Sequence, residues 1–183
     1  MPTHPALDVI TIGRCSVDLY GQQIGSRLED IASFAKSVGG CPSNMAIGTA
    51  RLGLKSGLIT RVGDEQMGRY VKEQMTREGV STTGIVTDKE RLTSLVLLSV
   101  ENDKTFPLIF YRDNCADSKM TIDDVMKADI AGSRLLEVSA TALNIEPSRS
   151  AAFFAAERAV EAGVPVLVDL DFRADQWHDP RAY

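Results

Sequence analysis

Short apolar runs rich in β-branched residues alternate with helical patterns along most of the chain. The runs typical of buried strands occupy residues 8–13, 57–62, 135–138 and 164–170. Helical patterns occupy residues 43–53, 64–79, 121–131 and 147–163. Strands and helices in alternation require crossover connections, which are right-handed and leave helices on the faces of a parallel sheet. The sequence therefore predicts an α/β fold with a mostly parallel sheet covered on both faces.

The helix ends carry capping signals. Ser43, Asp64 and Thr121 are predicted N-terminal caps, because their side chains can accept hydrogen bonds from the free N–H groups of a first turn. Asp124 lies at the capping-box position after Thr121. The apolar side of the last helix is predicted to contain Phe153, Phe154 and Val160.

Two further apolar runs, at residues 93–100 and 106–111, are joined by the turn cluster 102–104 and predict an antiparallel hairpin. The hairpin interrupts the alternation, so we expect it outside the main sheet, as part of a lid. The mixed stretch at 19–37 could hold short strands of the same lid. Within one predicted domain, 1–183, the lid segments are thus about 19–37 and 91–112.

Composition excludes several classes of function. The chain has 183 residues, with 20 Lys and Arg against 25 Asp and Glu, so its formal net charge is −5. This balance argues against non-specific binding of nucleic acid or of an anionic membrane surface. No apolar run approaches the ~18 residues that would cross a bilayer. Cys15, Cys41 and Cys115 are too few for a disulfide framework and lack the spacing of zinc ligands. We expect a cytoplasmic protein with reduced thiols and no structural zinc.

The sharpest local feature is Gly39-Gly40 directly before a helix. Glycine permits positive φ and a close approach of a ligand or another backbone, and the helix that follows presents free N–H groups. Asn44, in the first turn, could donate to and accept from a hydroxyl group. A plain tight turn is the alternative explanation of the glycine pair.

The glycine pair belongs to a longer set that matches, position for position, the N-terminal signature of the PfkB (ribokinase-like) carbohydrate kinases: Gly39, Gly40, Pro42, Asn44, Ala46, Gly53 and Gly63. The chain resembles this family from Asp8 onward. The resemblance implies a three-layer α/β/α fold with a small β lid, in which the sheet would be incomplete in this chain. It also implies an ATP-dependent phosphotransferase that uses Mg²⁺. At Asp18 it implies an aspartate that accepts hydrogen bonds from sugar hydroxyls.

Residues 11–14, 111–117 and 169–173 resemble members of the family that phosphorylate sugar acids, with 5-dehydro-2-deoxygluconate as the expected substrate and 2-keto-3-deoxygluconate as the alternative. The resemblance adds Tyr111, Arg112, Asp171 and Arg173 to the substrate-binding residues. Where the 2-keto-3-deoxygluconate kinases have asparagine, this chain has Asp171, which would repel an acid placed too close.

The chemistry of the two arginines agrees with an acid substrate. Arg112 follows the hairpin, and Arg173 follows a buried strand at the sheet edge where ligands bind in open α/β folds. A guanidinium group can bind a carboxylate through two parallel charge-assisted hydrogen bonds. The alternative is that each arginine is solvated or pairs with a neighbouring acid such as Asp113 or Asp175.

The catalytic signature of the family, Asp-Thr-x-Gly-Ala-Gly-Asp, does not occur in the 183 residues. Its last aspartate is the base that deprotonates the attacking hydroxyl, so we expect that base, and most of the ATP site, beyond Tyr183. We expect the chain alone to be inactive. Other open alternatives are a fructokinase, a ribokinase or a non-catalytic sugar-acid-binding protein. The apolar hairpin is also compatible with a homodimer through the lid.

Overall fold

The computed structural model describes residues 7–172 and residue 181. These residues form nine strands in chain order: β1 (Leu7–Ile12), β2 (Ser16–Gly21), β3 (Phe34–Gly39), β4 (Ser56–Gly63), β5 (Ile85–Asp88), β6 (Ser94–Leu98), β7 (Leu108–Tyr111), β8 (Ser133–Ser139) and β9 (Val166–Asp169). They also form four α-helices: α1 (Cys41–Arg51), α2 (Gln66–Arg77), α3 (Ile122–Val125) and α4 (Ser148–Glu161). Three short 3₁₀ segments connect them, at Leu28–Asp30, Ala116–Lys119 and Ala140–Asn144.

The main sheet has the order β5-β4-β1-β8-β9, and every neighbouring pair in it is parallel. Val9 in the central strand β1 is in register with Ser56 of β4 and with Leu135 of β8. The prediction of a mostly parallel α/β sheet is therefore confirmed. Strand β5 is not among the predicted strands, because its four residues are too few to show a clear pattern.

A second sheet has the order β3-β2-β6-β7. The β6–β7 pair is antiparallel, as the hairpin pattern predicts, and so is the β2–β3 pair, whereas β2 and β6 run parallel. The hairpin thus lies outside the main sheet. Strands β2 and β3 overlap the two ends of the mixed stretch at 19–37, where short strands were expected.

Side chains that alternate along the strands of the main sheet pack into two hydrophobic cores, one on each face. Ile10, Ile12 and Ile59 pack on the side of α3 and α4, whereas Leu58 and Val62 pack on the side of α1 and α2. Helices therefore cover both faces, and each fully buried isoleucine or leucine stabilises the fold by about 1.5–3 kcal/mol. No helix of the described residues is both long enough and apolar enough to traverse a membrane.

Two predicted helix starts are wrong. Helix α1 begins at Cys41, with Gly40 as its N-cap, so Ser43 lies inside the helix. The start moves because Gly40 adopts φ +95° and Pro42 fits a first turn, where no amide hydrogen is needed. The cap of α2 is Glu65 and not Asp64, since the Glu65 carboxylate accepts from the backbone N–H groups of Met67 and Gly68.

The other differences concern α3 and α4. The Thr121–Asp124 capping box is present, but α3 ends at Val125 rather than near residue 131. In α4, Phe153 and Val160 are exposed, and Phe154 is only partly buried. The sheet is instead contacted by small side chains, which let the helix lie close to it: Ala151, Ala152, Ala155 and Ala159.

Candidate functional site

A cavity of about 490 Å³ opens between the second sheet and the carboxyl ends of β1 and β9. Of the predicted site residues, five line it: Asp18, Gly40, Asn44, Arg112 and Asp171. They come from the second sheet, the start of α1 and the segment after β9. Because the carboxyl edge of a parallel sheet is where such folds bind ligands, this cavity is the candidate site.

The glycine pair packs the start of α1 against the strand that carries Asp18. A Cβ atom on Gly39 would collide with the Asp18 carboxylate, and a Cβ atom on Gly40 would collide with the backbone oxygen of Arg14. Gly40 also has φ +95°, which side chains other than glycine rarely adopt. The pair therefore serves a close approach of the protein's own groups, and Gly40 lines the cavity as well.

Asp18 accepts a hydrogen bond from the Ser16 hydroxyl at 2.7 Å. Burial raises the pKa of its carboxyl group, and the hydrogen bond from Ser16 and the charge of Arg112 oppose that rise only in part. Asn44 is exposed in the first turn of α1, on the same cavity. The site thus offers a carboxylate and an amide to polar groups of a ligand.

Arg112 lies just after β7, on the same side as Phe110, with its guanidinium 4.8 Å from the centre of that ring. Its Nε is buried and has no hydrogen-bond partner, and no ion pair of the described residues includes it. Burial lowers the pKa of Arg112, and the nearby charge of Arg14 lowers it further by a smaller amount. The structure therefore presents a cationic donor towards the cavity rather than a solvated surface arginine or an Arg112–Asp113 pair.

Arg14 was not singled out as a site residue from the sequence, although it lies in one of the matching segments. It is buried, and its Nε donates to Asp117 Oδ2 at 2.8 Å. Asp117 also accepts from the hydroxyl of Ser94 at 2.6 Å and from the backbone N–H of Cys15 at 3.3 Å. This network joins the end of β1 to β6, so it fixes one sheet against the other beside the cavity.

Three other predicted residues are placed differently. Tyr111 lies outside this cavity and lines another, of about 570 Å³, together with Glu65, Arg91 and Asp113. Alternation along β7 explains this, since Leu108 and Phe110 face the first cavity and Tyr111 points away from them. Gly39 is not among the residues that line the cavity, but it leaves room for the Asp18 carboxylate, which is. Arg173 lies outside the described residues.

A cluster of acidic and thiol groups adjoins the cavity at Cys41. The Cys41 thiol donates to a carboxylate oxygen of Asp169, and Glu137 in the buried part of β8 lies beside both. Burial, followed by the charges of Asp169 and Asp171, raises the pKa of Glu137 to about 8. Burial and the hydrogen bond to Asp169 raise the pKa of Cys41 as well. Glu137 and Asp169 are not among the site residues predicted from the sequence.

Comparison with known proteins agrees with this architecture. The model of the family described as pfkB family carbohydrate kinase matches residues 6–183. Proteins named 5-dehydro-2-deoxygluconokinase from Geobacillus thermodenitrificans and Bacillus subtilis are 41% and 36% identical to this chain, over 93% and 94% of its length. The alignments cover 51% and 53% of those proteins, so the chain spans about half the length of these curated relatives.

Solved structures give the same result. A PfkB protein from Polaromonas sp. JS666 superposes with a TM-score of 0.89 at 31% identity, covering 96% of this chain and 60% of that one. A sugar kinase from Pyrococcus horikoshii in complex with ATP superposes with a TM-score of 0.84 at 28% identity, covering 94% of this chain and 56% of that one.

Proposed function

The chain belongs to the pfkB family of carbohydrate kinases, and from this premise we propose that it serves the ATP-dependent phosphorylation of a sugar acid. The proposed substrate is 5-dehydro-2-deoxygluconate, with the phosphate going to its terminal hydroxyl. The names of the relatives support this substrate at 36–41% identity. The chain spans about half of those relatives, so the activity is proposed for the whole protein.

The observation that carries the acid substrate is the buried Nε of Arg112. It has no hydrogen-bond partner among the described residues and lies beside a cavity large enough for a sugar acid. A buried donor of this kind is costly unless a ligand satisfies it. A carboxylate suits it best, because it neutralises the charge and accepts two parallel hydrogen bonds.

The remaining groups are proposed to form hydrogen bonds with the hydroxyl groups of the substrate. Asp18 would accept from sugar hydroxyls, and Asn44 would donate and accept. Asp171 also lines the cavity, and its negative charge would direct the substrate carboxylate towards Arg112. Tyr111 and Arg173 remain substrate-binding proposals on family position alone.

ATP is the proposed phosphate donor, in line with the ATP complex of a related sugar kinase. Within the described residues, the groups close enough to share an ion include a thiol, whereas Mg²⁺ takes oxygen ligands, so they do not fit Mg²⁺. We propose that segments other than residues 7–172 bind ATP and Mg²⁺ and supply the catalytic base. On their own, the 183 residues are expected to bind the sugar acid without phosphorylating it.

The second sheet is the proposed lid, formed by the segments at about 19–37 and 91–112. Its strand β7 exposes Ile109 and Tyr111 on the face away from the cavity, which supports a homodimer through this sheet. A reaction that consumes ATP is also consistent with a cytoplasmic location, which we propose on that basis.

The test is ADP release by the full-length gene product with 5-dehydro-2-deoxygluconate, 2-keto-3-deoxygluconate, fructose and ribose. The proposal expects the highest kcat/KM for 5-dehydro-2-deoxygluconate. Higher kcat/KM for a neutral sugar would overturn the acid specificity. Saturable binding of the acid with no ADP release would instead identify a non-catalytic sugar-acid-binding protein.

Replacing Arg112 directly tests whether its guanidinium binds the carboxylate of the substrate. Arg112→Gln should weaken binding of the sugar acid at least tenfold, since a hydrogen bond to a charged group contributes about 1.5–3 kcal/mol. Binding of a neutral sugar should change much less. Isothermal calorimetry measures both, with Arg27→Gln as the matched control, because Arg27 is exposed and pairs only with Asp30 among the described residues. Equal losses of affinity for the acid and the neutral sugar would contradict this role of Arg112.

A further inference from the structure

Three potential metal ligands meet at one corner of the main sheet. They are the Sγ of Cys41 at the start of α1, a carboxylate oxygen of Glu137 in β8 and a carboxylate oxygen of Asp169 at the end of β9. These atoms all lie within 4.8 Å of one another. Tetrahedral coordination of zinc, with bonds of about 2.0–2.3 Å, requires ligand atoms that converge in this way.

Glu137 provides an independent indication of a ligand. Its side chain is fully buried, and neither carboxylate oxygen has a hydrogen-bond partner in the part of the chain that the structure describes. Buried polar groups are nearly always hydrogen-bonded, and a buried carboxylate without a partner is costly. The buried Glu137 carboxylate therefore requires a proton or a bound cation.

The surroundings of the cluster are acidic. Asp169 and Asp171 are the charged groups that act on Glu137, and both disfavour its negative charge. None of the ion pairs formed by residues 7–172 includes Cys41, Glu137 or Asp169. A cation at this position would neutralise the charge of ligands with which no lysine or arginine of that part of the chain forms an ion pair.

We propose that Cys41, Glu137 and Asp169 bind one divalent transition-metal ion of the zinc class. A thiolate with two carboxylates favours Zn²⁺ or Co²⁺ over Mg²⁺ or Ca²⁺, which prefer oxygen ligands alone. Binding displaces the Cys41 thiol proton to solvent, because the thiolate is the ligand. Three protein ligands leave a fourth position for water, and Cys41 places the ion at the wall of the cavity.

The competing explanation is that Glu137 stays protonated and no ion binds. Cobalt distinguishes the two, since a cysteine thiolate bound to Co²⁺ gives a charge-transfer absorption in the near ultraviolet. The tag-free protein is treated with chelator, dialysed and titrated with Co²⁺. We expect one Co²⁺ per chain with this absorption, and its loss when one equivalent of Zn²⁺ is added. Absence of the absorption at millimolar Co²⁺ would overturn the proposal.

Variants assign the ligands. Cys41→Ser should abolish the absorption, whereas the matched control Cys115→Ser should keep it, because Cys115 is buried elsewhere, against the backbone oxygens of Tyr111 and Asp113. Glu137→Gln, which keeps the shape and removes the charge, should weaken Co²⁺ binding at least tenfold. Circular dichroism verifies the fold of each variant, and Asp169→Asn takes the place of Glu137→Gln if that variant does not fold.

Survival of the absorption in Cys41→Ser, or unchanged affinity in the carboxylate variant, would overturn the assignment. The readout is binding of the metal alone, so it does not depend on whether the protein phosphorylates a sugar acid.

Discussion

Two glycines close together in the sequence have opposite surroundings. A Cβ atom at Gly39 would collide with the Asp18 carboxylate. At Gly48, in the middle of α1, a Cβ atom would meet no atom of the described residues within 4 Å, apart from its chain neighbours and the backbone of its own helix. The same substitution is therefore expected to have opposite effects on the free energy of unfolding.

Gly39→Ala should destabilise the protein by about 1–3 kcal/mol, because the site must shift to relieve the overlap. Gly48→Ala should stabilise it by about 0.5–1 kcal/mol, since alanine restricts the unfolded chain and favours a helix. Urea unfolding followed by circular dichroism measures both. A Gly39→Ala variant as stable as the parent would show that Asp18 can move aside without cost.

The sequence, with its family resemblance, singled out eight candidate site residues. Five of them, Asp18, Gly40, Asn44, Arg112 and Asp171, line one cavity, and their roles in substrate binding stay predictions. Arg14 and Glu137 could not be predicted in their roles, because each depends on a partner far away in the chain. The one available signal for Glu137 was an acid inside an otherwise apolar strand, which a buried sheet position rarely tolerates.

At the scale of elements, Glu65 connects α2 to the second sheet. Its carboxylate accepts from the backbone N–H of Met67 at 2.6 Å and of Gly68 at 3.2 Å. It also accepts from the backbone N–H of Thr93, directly before β6, at 3.1 Å. One side chain therefore caps a helix and holds the start of a strand.

Glu65→Ala should cost about 1–2 kcal/mol in unfolding free energy, since removing a helix cap costs about this much. The matched control is Asp64→Ala, which removes an exposed carboxylate of the same turn and should change stability by less than about 0.5 kcal/mol. Chemical denaturation at pH 7 provides the measurement. Equal losses for the two variants would mean that charge near the helix start, and not the cap, is responsible.

Hydrophobic periodicity was sufficient to predict most helices and strands, because burial on one face determines them. It could not determine the start of α1, which depends on the positive φ of Gly40. It also assigned the wrong face of α4, where alanines contact the sheet and Phe153 is exposed. The aromatic side chains dominate such a pattern, although close packing on a sheet can favour small residues.

At the scale of the whole molecule, Arg61 in β4 links parts of the chain that are far apart in sequence. Its guanidinium contacts Asp88 at the end of β5 at 3.2 Å and Asp124 in α3 at 2.6 Å. Burial alone would raise the pKa of Asp124, but the hydrogen bonds from Arg61 and Thr121 outweigh it, so the pKa lies below the usual 3.8.

A lowered carboxyl pKa contributes stability that is fully present above pH 3.8 and is lost as the pH falls through the lower folded-state value. Asp124→Asn should therefore lower stability at pH 7 and reduce the further loss below about pH 4. Urea midpoints from pH 7 to pH 2 measure this dependence. The control Asp123→Asn, at an exposed neighbour, should keep the parent slope, and an identical slope in Asp124→Asn would refute the assignment.

The parallel pairing of β2 with β6 also constrains the order in which the molecule can fold. Asp18 of β2 is in register with Val96 of β6, and α1, β4, α2 and β5 all lie between them in sequence. Closing so long a loop is entropically unfavourable until the intervening chain has become compact. We therefore expect the second sheet, and with it the cavity that contains Arg112, to form after β4 and β5 of the main sheet have assembled.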